Sequence, residues 1–173
     1  MKIFHAFVLI IFFSCNSLLS NEIKIVYVDI DKILNQSIAG KKIQKQLEQF
    51  NKKNISKYKK TEAQLVEDEA KIIKQKNILS KEEFQKKIKE LQKNIVNFQT
   101  DVNKNKDTLN KMRIEATAKI LEVLNLLLSD YASKNSISII MQKKNIVIGK
   151  QDLDITKQMI ELVNKKITEV KLN

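Results

Sequence analysis

Two runs of apolar residues, stepping by alternating fours and threes, meet at a short polar break and dictate most of what this chain can become. After the break, Phe84, Ile88, Leu91, Ile95, Phe98, Val102, Leu109, Met112 and Ala116 keep the step, with Asn105 as a polar member in phase. Before it, Ile43, Leu47, Phe50, Asn54, Tyr58, Thr61, Leu65 and Ile72 keep the same rhythm with more polar interruptions. Such a repeat is the seam of a long helix packed along another helix. The break itself, Asn77 to Glu83, places Ser80 and Glu83 in capping-box spacing, where each side chain can satisfy a backbone N–H at a helix start. One helix is therefore expected to end just before Ser80 and another to begin there. The absence of Pro, and only two Gly at Gly40 and Gly149, suit long uninterrupted helices.

The two seams test each other. A reversal near Leu79 and Ser80 brings together positions whose numbers sum to 159 or 160, so Ile43 meets Ala116, Leu47 meets Met112, and Phe50 meets Leu109. Tyr58 then meets Val102, Leu65 meets Ile95, and Ile72 meets Ile88. Asn54 lands opposite Asn105, and a polar layer facing a polar layer is a device that fixes coiled-coil register. Asp68 opposite Leu91 fits badly, so the register is expected to loosen towards the tip. At about 1.5 Å per residue each helix should reach roughly 50–60 Å.

Around this pair, the chain divides into three further stretches. Residues 1–20 read as an export signal: Lys2 gives a positive start, Ala6 to Phe13 is an apolar run too short to span a bilayer comfortably, and Ser14, Ser17 and Ser20 are small residues for cleavage. The competing reading is a lipoprotein signal in which Cys15, the only Cys, becomes a lipidated first residue. With Cys15 removed, no disulfide is available. Ile23 to Ile30 is rich in β-branched residues and reads as a strand, followed by one or two helical turns that Asp29 or Asp31 can cap. Beyond the Ser133–Ser136 cluster, Ile137 to Gln142 and Asn145 to Ile148 read as a β-hairpin closed by Gly149. Asp152 or Asp154 can cap a last helix with Ile155, Met159, Leu162 or Val163, and Ile167 on one stripe.

The resulting expectation is an α+β chain, mostly helical. A long antiparallel coiled-coil hairpin at 41–131, with its tip near 77–82, projects from a small β-rich body made of 21–40 and 132–173. A body of that size holds a small core, and its edge strands invite pairing with another copy. Ile25, Tyr27, Ile139, Met141 and Val147 are the residues expected to build that oligomeric base. At the tip, Ser80 and Glu83 form the cap, while Ile73, Ile78 and Leu79 are candidates for contact with a bound partner.

Little in the sequence points to catalysis. The only His, His5, lies in the leader, and there is no Gly-rich phosphate loop and no metal-ligand spacing, so no catalytic, cofactor or metal residues are assigned. Glu67-Asp68-Glu69 and Glu82-Glu83 fall on expected helix surfaces, without the pocket that drives paired carboxylates apart in pKa. The net charge is +12, of which residues 41–115 supply +9 (20 Lys and Arg less 11 Asp and Glu). Such a surface suits an acidic protein, an anionic lipid surface or nucleic acid, although lysine on a coiled-coil exterior is also ordinary solvated surface.

The two ends carry a resemblance. Ile25-Val-Tyr-Val-Asp-Ile-Asp-Lys-Ile-Leu-Asn-Gln-Ser-Ile-Ala-Gly-Lys-Lys42 resembles the start of mature Skp/OmpH-family periplasmic chaperones, with Ile38 where the family often has Pro. Ile137 to Gly149, followed by Leu153-Asp-Ile-Thr156 and a final amphipathic helix, resembles the family's end. The resemblance implies a homotrimer whose β-rich body holds helical-hairpin tentacles around a cavity for unfolded outer-membrane β-barrel proteins. It implies an ATP-independent holdase in the periplasm, without a cofactor and without specific nucleic-acid recognition. The alternative is a coiled-coil envelope tether anchored through a lipidated Cys15, and a basic nucleic-acid binder is a third reading at odds with an export signal.

Overall fold

The computed structural model describes residues 23–172; the expected export signal at 1–20, with Cys15, lies outside the described residues. Strand β1 (Ile25–Val28) leads into helix α1 (Ile30–Gln36), then into the long helices α2 (Ile38–Lys74) and α3 (Lys81–Lys134). Strand β2 (Ile139–Gln142), two short 3-10 turns at Lys143–Asn145 and Gln151–Leu153, and helix α4 (Thr156–Lys166) complete the order.

Local chemistry sets these boundaries. Asp29 caps α1, its carboxylate accepting the Lys32 N–H at 2.9 Å. Buried Ser37 then ends α1 and caps α2, its hydroxyl accepting the Gly40 N–H at 3.1 Å. Gly40 is required by closeness: a Cβ there would stand 1.7 Å from the Leu34 carbonyl oxygen, so only glycine lets α1 fold back so tightly on α2. At the start of α3 both halves of the capping box form, with the Glu83 N–H donating to Ser80 Oγ and the Ser80 N–H donating to Glu83 Oε2 at 3.1 Å. Helix α3 closes with Ser136 at φ 52° and the Ile137 N–H returning to the Ala132 carbonyl at 3.0 Å, a Schellman ending.

Helices α2 and α3 lie side by side with chain direction reversed. The Asn54 amide donates to the Asn105 side-chain oxygen, and the Tyr58 hydroxyl donates to the Asp101 carbonyl at 3.1 Å. The Tyr58 and Phe98 rings meet edge to face, 6.0 Å apart at 75°. Every seam residue read from the sequence is buried or half-buried. Around Asp68 the packing opens into two grooves, of about 280 and about 230 Å³, that share Asp68 and Asn94.

The sheet differs from the expected β-hairpin. β2 pairs in parallel with β1, in the register Ile25 with Ile139 and Val28 with Gln142, and Asn145 to Ile148 do not form a strand. A parallel pair needs a long crossover, which α1, α2 and α3 supply. The other edge of β1 is also taken: Tyr27 bridges to Asp154, and the Ile155 N–H donates to the Tyr27 carbonyl at 2.9 Å. The chain after β2 is turned back rather than out, and the Lys143 ammonium lies 2.9 Å from the Asp154 carboxylate and 5.8 Å from the centre of the Tyr27 ring.

One apolar core joins the inner face of β1 (Val26, Val28), α1 (Ile33), the root of α2 (Ala39, Ile43, Leu47), α3 from Met112 to Leu124, and α4 (Met159, Val163). A fully buried side chain of this size contributes about 1.5–3 kcal/mol, and Ile33, Leu124, Met159 and Val163 are completely enclosed. The sheet is thus covered on its inner face by helices, chiefly the later turns of α3, rather than by further strands. The last helix also ends sooner than its stripe suggested: Ile155 precedes it, and Ile167 follows it in extended conformation.

Candidate interaction surfaces

Side chains alternate across a strand, so residues that share parity and register in β1 and β2 share a face. With Val26 and Val28 buried inward, Ile25, Tyr27, Ile139 and Met141 stand together on the outer face. Ile25, Ile139 and Met141 are exposed there, while Tyr27 is covered by its own chain. Gly149 passes so close that a Cβ would come within 2.8 Å of Tyr27 Cε1, and the Tyr27 hydroxyl donates to the Lys150 carbonyl at 3.1 Å.

Val147 lies not in a strand but in the loop that crosses this face, and it is 97% exposed. Its neighbour Ile148, at 92%, and Ile23, at the approach to β1, are exposed apolar residues as well. Neither was singled out in the sequence, although the run Ile146-Val-Ile148 carries the signal. Among the described residues, β2 has a strand neighbour on one edge only.

An ion pair between Lys143 and Asp154 adds to the loop's contacts with Tyr27. Burial alone would push the Asp154 carboxyl up, but hydrogen bonds from Thr156 and from Lys143 outweigh it and hold the carboxyl below the usual range. The Lys143 ammonium is in turn raised by its hydrogen bond to Asp154 and by that carboxylate's charge.

At the junction of α2 and α3, Ile78 is 82% and Ile73 60% exposed, whereas Leu79 is half-buried and its N–H bonds back to the Gln75 carbonyl at 3.0 Å. The structure therefore presents Ile73 and Ile78 outward and leaves Leu79 partly packed in the turn. Lys71, Lys74, Lys76 and Lys81 flank them in sequence. The Glu83 carboxyl is lowered first by the Ser80 hydroxyl and then by the Ser80 N–H. Sequence reasoning passed over Ile55, Val66, Val96 and Ile114, apolar residues off the seam that stand exposed along the two helices. Their signal was their phase, out of step with the seam on otherwise polar faces.

Among the described residues, no three His, Cys, Asp or Glu side chains gather to hold a metal ion, and no helix is long and apolar enough to cross a membrane. Nothing in the geometry shows catalytic activity.

The family model described as Outer membrane protein (OmpH-like) matches residues 24–163, from just before β1 into α4. The chain belongs to the OmpH-like family. Among solved structures, this OmpH-like chain is similar to a candidate outer membrane chaperone (OmpH-like) from Caulobacter crescentus CB15, with a TM-score of 0.80 and 11% identity. That likeness covers 87% of this chain and 89% of the other, and at such low identity it speaks for the fold. No curated protein matches the OmpH-like chain.

Proposed function

We propose that this OmpH-like protein is an ATP-independent chaperone of the periplasm that holds unfolded outer-membrane β-barrel proteins and keeps them from aggregating before membrane assembly. The observation that carries the reading is the antiparallel α2–α3 pair. Its seam residues are buried or half-buried, yet Val66, Ile73, Ile78 and Val96 remain exposed on an arm of net positive charge. Scattered apolar side chains on an arm of net positive charge, two of them (Ile73 and Ile78) between lysines, favour many weak contacts with an extended, acidic or apolar chain over one specific pocket.

In this reading 41–131 is the arm, with its tip near 77–82, and 21–40 with 132–173 is the body. The outer sheet face (Ile25, Ile139, Met141), the Val147–Ile148 loop and the free edge of β2 then form the contact with two further copies. Apolar surface of this kind beside an unpaired strand edge supports self-association. The export signal at 1–20 supplies the route to the periplasm.

Dilution of a urea-unfolded β-barrel outer-membrane protein into the mature chain tests the proposal by light scattering. Aggregation should be suppressed near stoichiometric ratio without ATP, and the pair Ile73→Ser with Ile78→Ser should require about two- to tenfold more protein, as expected when two exposed apolar contacts of about 0.2–0.7 kcal/mol each are removed. A wild-type chain that leaves the client to aggregate would point instead to a coiled-coil envelope tether.

A further inference from the structure

We infer that the C-terminal segment Ile167–Leu172 is a strap that fixes the root of α2, and with it the direction in which the α2–α3 pair leaves the core. The last turn of α4 and this segment after it together make contacts on α2 at intervals of four. The Ile38 N–H donates to the Asn164 side-chain oxygen at 2.7 Å, Lys42 pairs with Glu169 at 3.6 Å, and Gln46 grips the chain at Val170 and Leu172. Positions 38, 42 and 46 form one stripe of a helix. Their partners rise in the same order, so the tail runs alongside α2 in the direction of the tip.

Each contact has a distinct physical basis. Ile38 is the first residue of α2, and its N–H has no acceptor within its own helix; Asn164 provides one. The ion pair is about half exposed on both sides and contributes little by itself. Gln46 uses both ends of its amide, donating to the Val170 carbonyl at 3.0 Å and accepting the Leu172 N–H at 3.4 Å, which imitates a neighbouring strand. Between these, Val170 is 4% exposed and sits in the core that also encloses Ile43 and Leu47. Lys171 and Glu169 point outward while Val170 and Leu172 turn in, as an extended chain on a surface requires.

The geometry has a mechanical consequence. Helix α2 runs for 37 residues, about 55 Å at ~1.5 Å per residue, so a small rotation at its root becomes a large displacement at its far end. An extended segment anchored by buried Val170, by half-buried Ile167 and Leu172 and by a few bonds opens at low cost compared with the whole fold. The strap can therefore release the root while Ile33, Leu124, Met159 and Val163 stay enclosed. These residues lie past residue 163, where the family match ends. The inference concerns the mechanics of the chain and stands whether or not the chain proves to be a chaperone.

Amide hydrogen exchange on the mature chain decides the matter, comparing wild type with Val170→Asp, with a chain ending at Lys166, and with Gln46→Ala. Exchange of amides 38–50 should accelerate by about tenfold or more in the first two variants and by a few-fold in Gln46→Ala, with β1, β2 and residues 84–102 of α3 unchanged. Alanine is the better helix former, so faster exchange around Gln46→Ala reflects the lost tail contact and not weaker helix. That variant alone decides if the other two fail to fold. Unchanged exchange at the root, or a uniform rise through the whole protein in Gln46→Ala, would overturn the strap.

Discussion

Gly40 lies where two helices approach through their backbones, and the position tolerates no side chain. Gly40→Ala must either displace the Leu34 carbonyl or lift α1 from α2, and overpacking of that kind costs about 1–3 kcal/mol, against the gain in helix propensity of about 1 kcal/mol that alanine would otherwise bring. A urea titration of the mature chain should show a lower midpoint for this variant. The Lys143–Asp154 pair gives a pH dependence whose sign follows from its direction. The Asp154 carboxyl is lowered in the folded chain, so its contribution to stability is fully present above the unfolded value near 4 and is lost as pH falls through the lower folded value. A carbon NMR titration should place the Asp154 midpoint below that of a free aspartate, and Lys143→Met should move it upward. A midpoint untouched by Lys143→Met would deny the pair its role in holding the loop.

At the scale of elements, the polar layer in the seam is the most informative pair. Asn54 and Asn105 satisfy each other; Asn54→Leu leaves Asn105 without its partner and should cost about 1–3 kcal/mol, whereas the double change to Leu at both positions should be near neutral or stabilising. Chemical denaturation of the three variants checks the sign of each. This layer was readable in the sequence because a seam repeat is local and two such repeats constrain each other through one sum. The Ser80–Glu83 cap was readable for the same reason, since it spans four residues. Strand pairing was not. Ile137 to Ile148 announce extended chain through their β-branched residues, but composition does not say that Ile139 pairs with Ile25 across the whole of α2 and α3, nor that a 3-10 turn follows β2 with Lys143 beside Asp154. The end of α4 is hidden for a related reason: Ile167 continues the α4 stripe in sequence, while the chain there is already extended and still packs on the core.

Over the whole molecule, the surfaces divide by distance from the core. Near it, Ile25, Ile139 and Met141 come together because parity within two strands decides their face, and the sequence carries parity. The exposure of Val147 and Ile148 depends on how a loop crosses that face, which the sequence does not carry. Far from it, the α2–α3 pair presents lysine and scattered branched apolar residues, and two grooves share Asp68 and Asn94 while Leu91 stays buried. These two regions give the proposed chaperone its parts, one for self-association and one for holding a client. Sedimentation analysis of the mature protein, alone and after addition of a urea-diluted outer-membrane β-barrel protein, tests both at once. The account predicts a trimer that keeps the client in a soluble complex of defined mass without ATP. A monomer, or an oligomer from which the client pellets as aggregate, would contradict it.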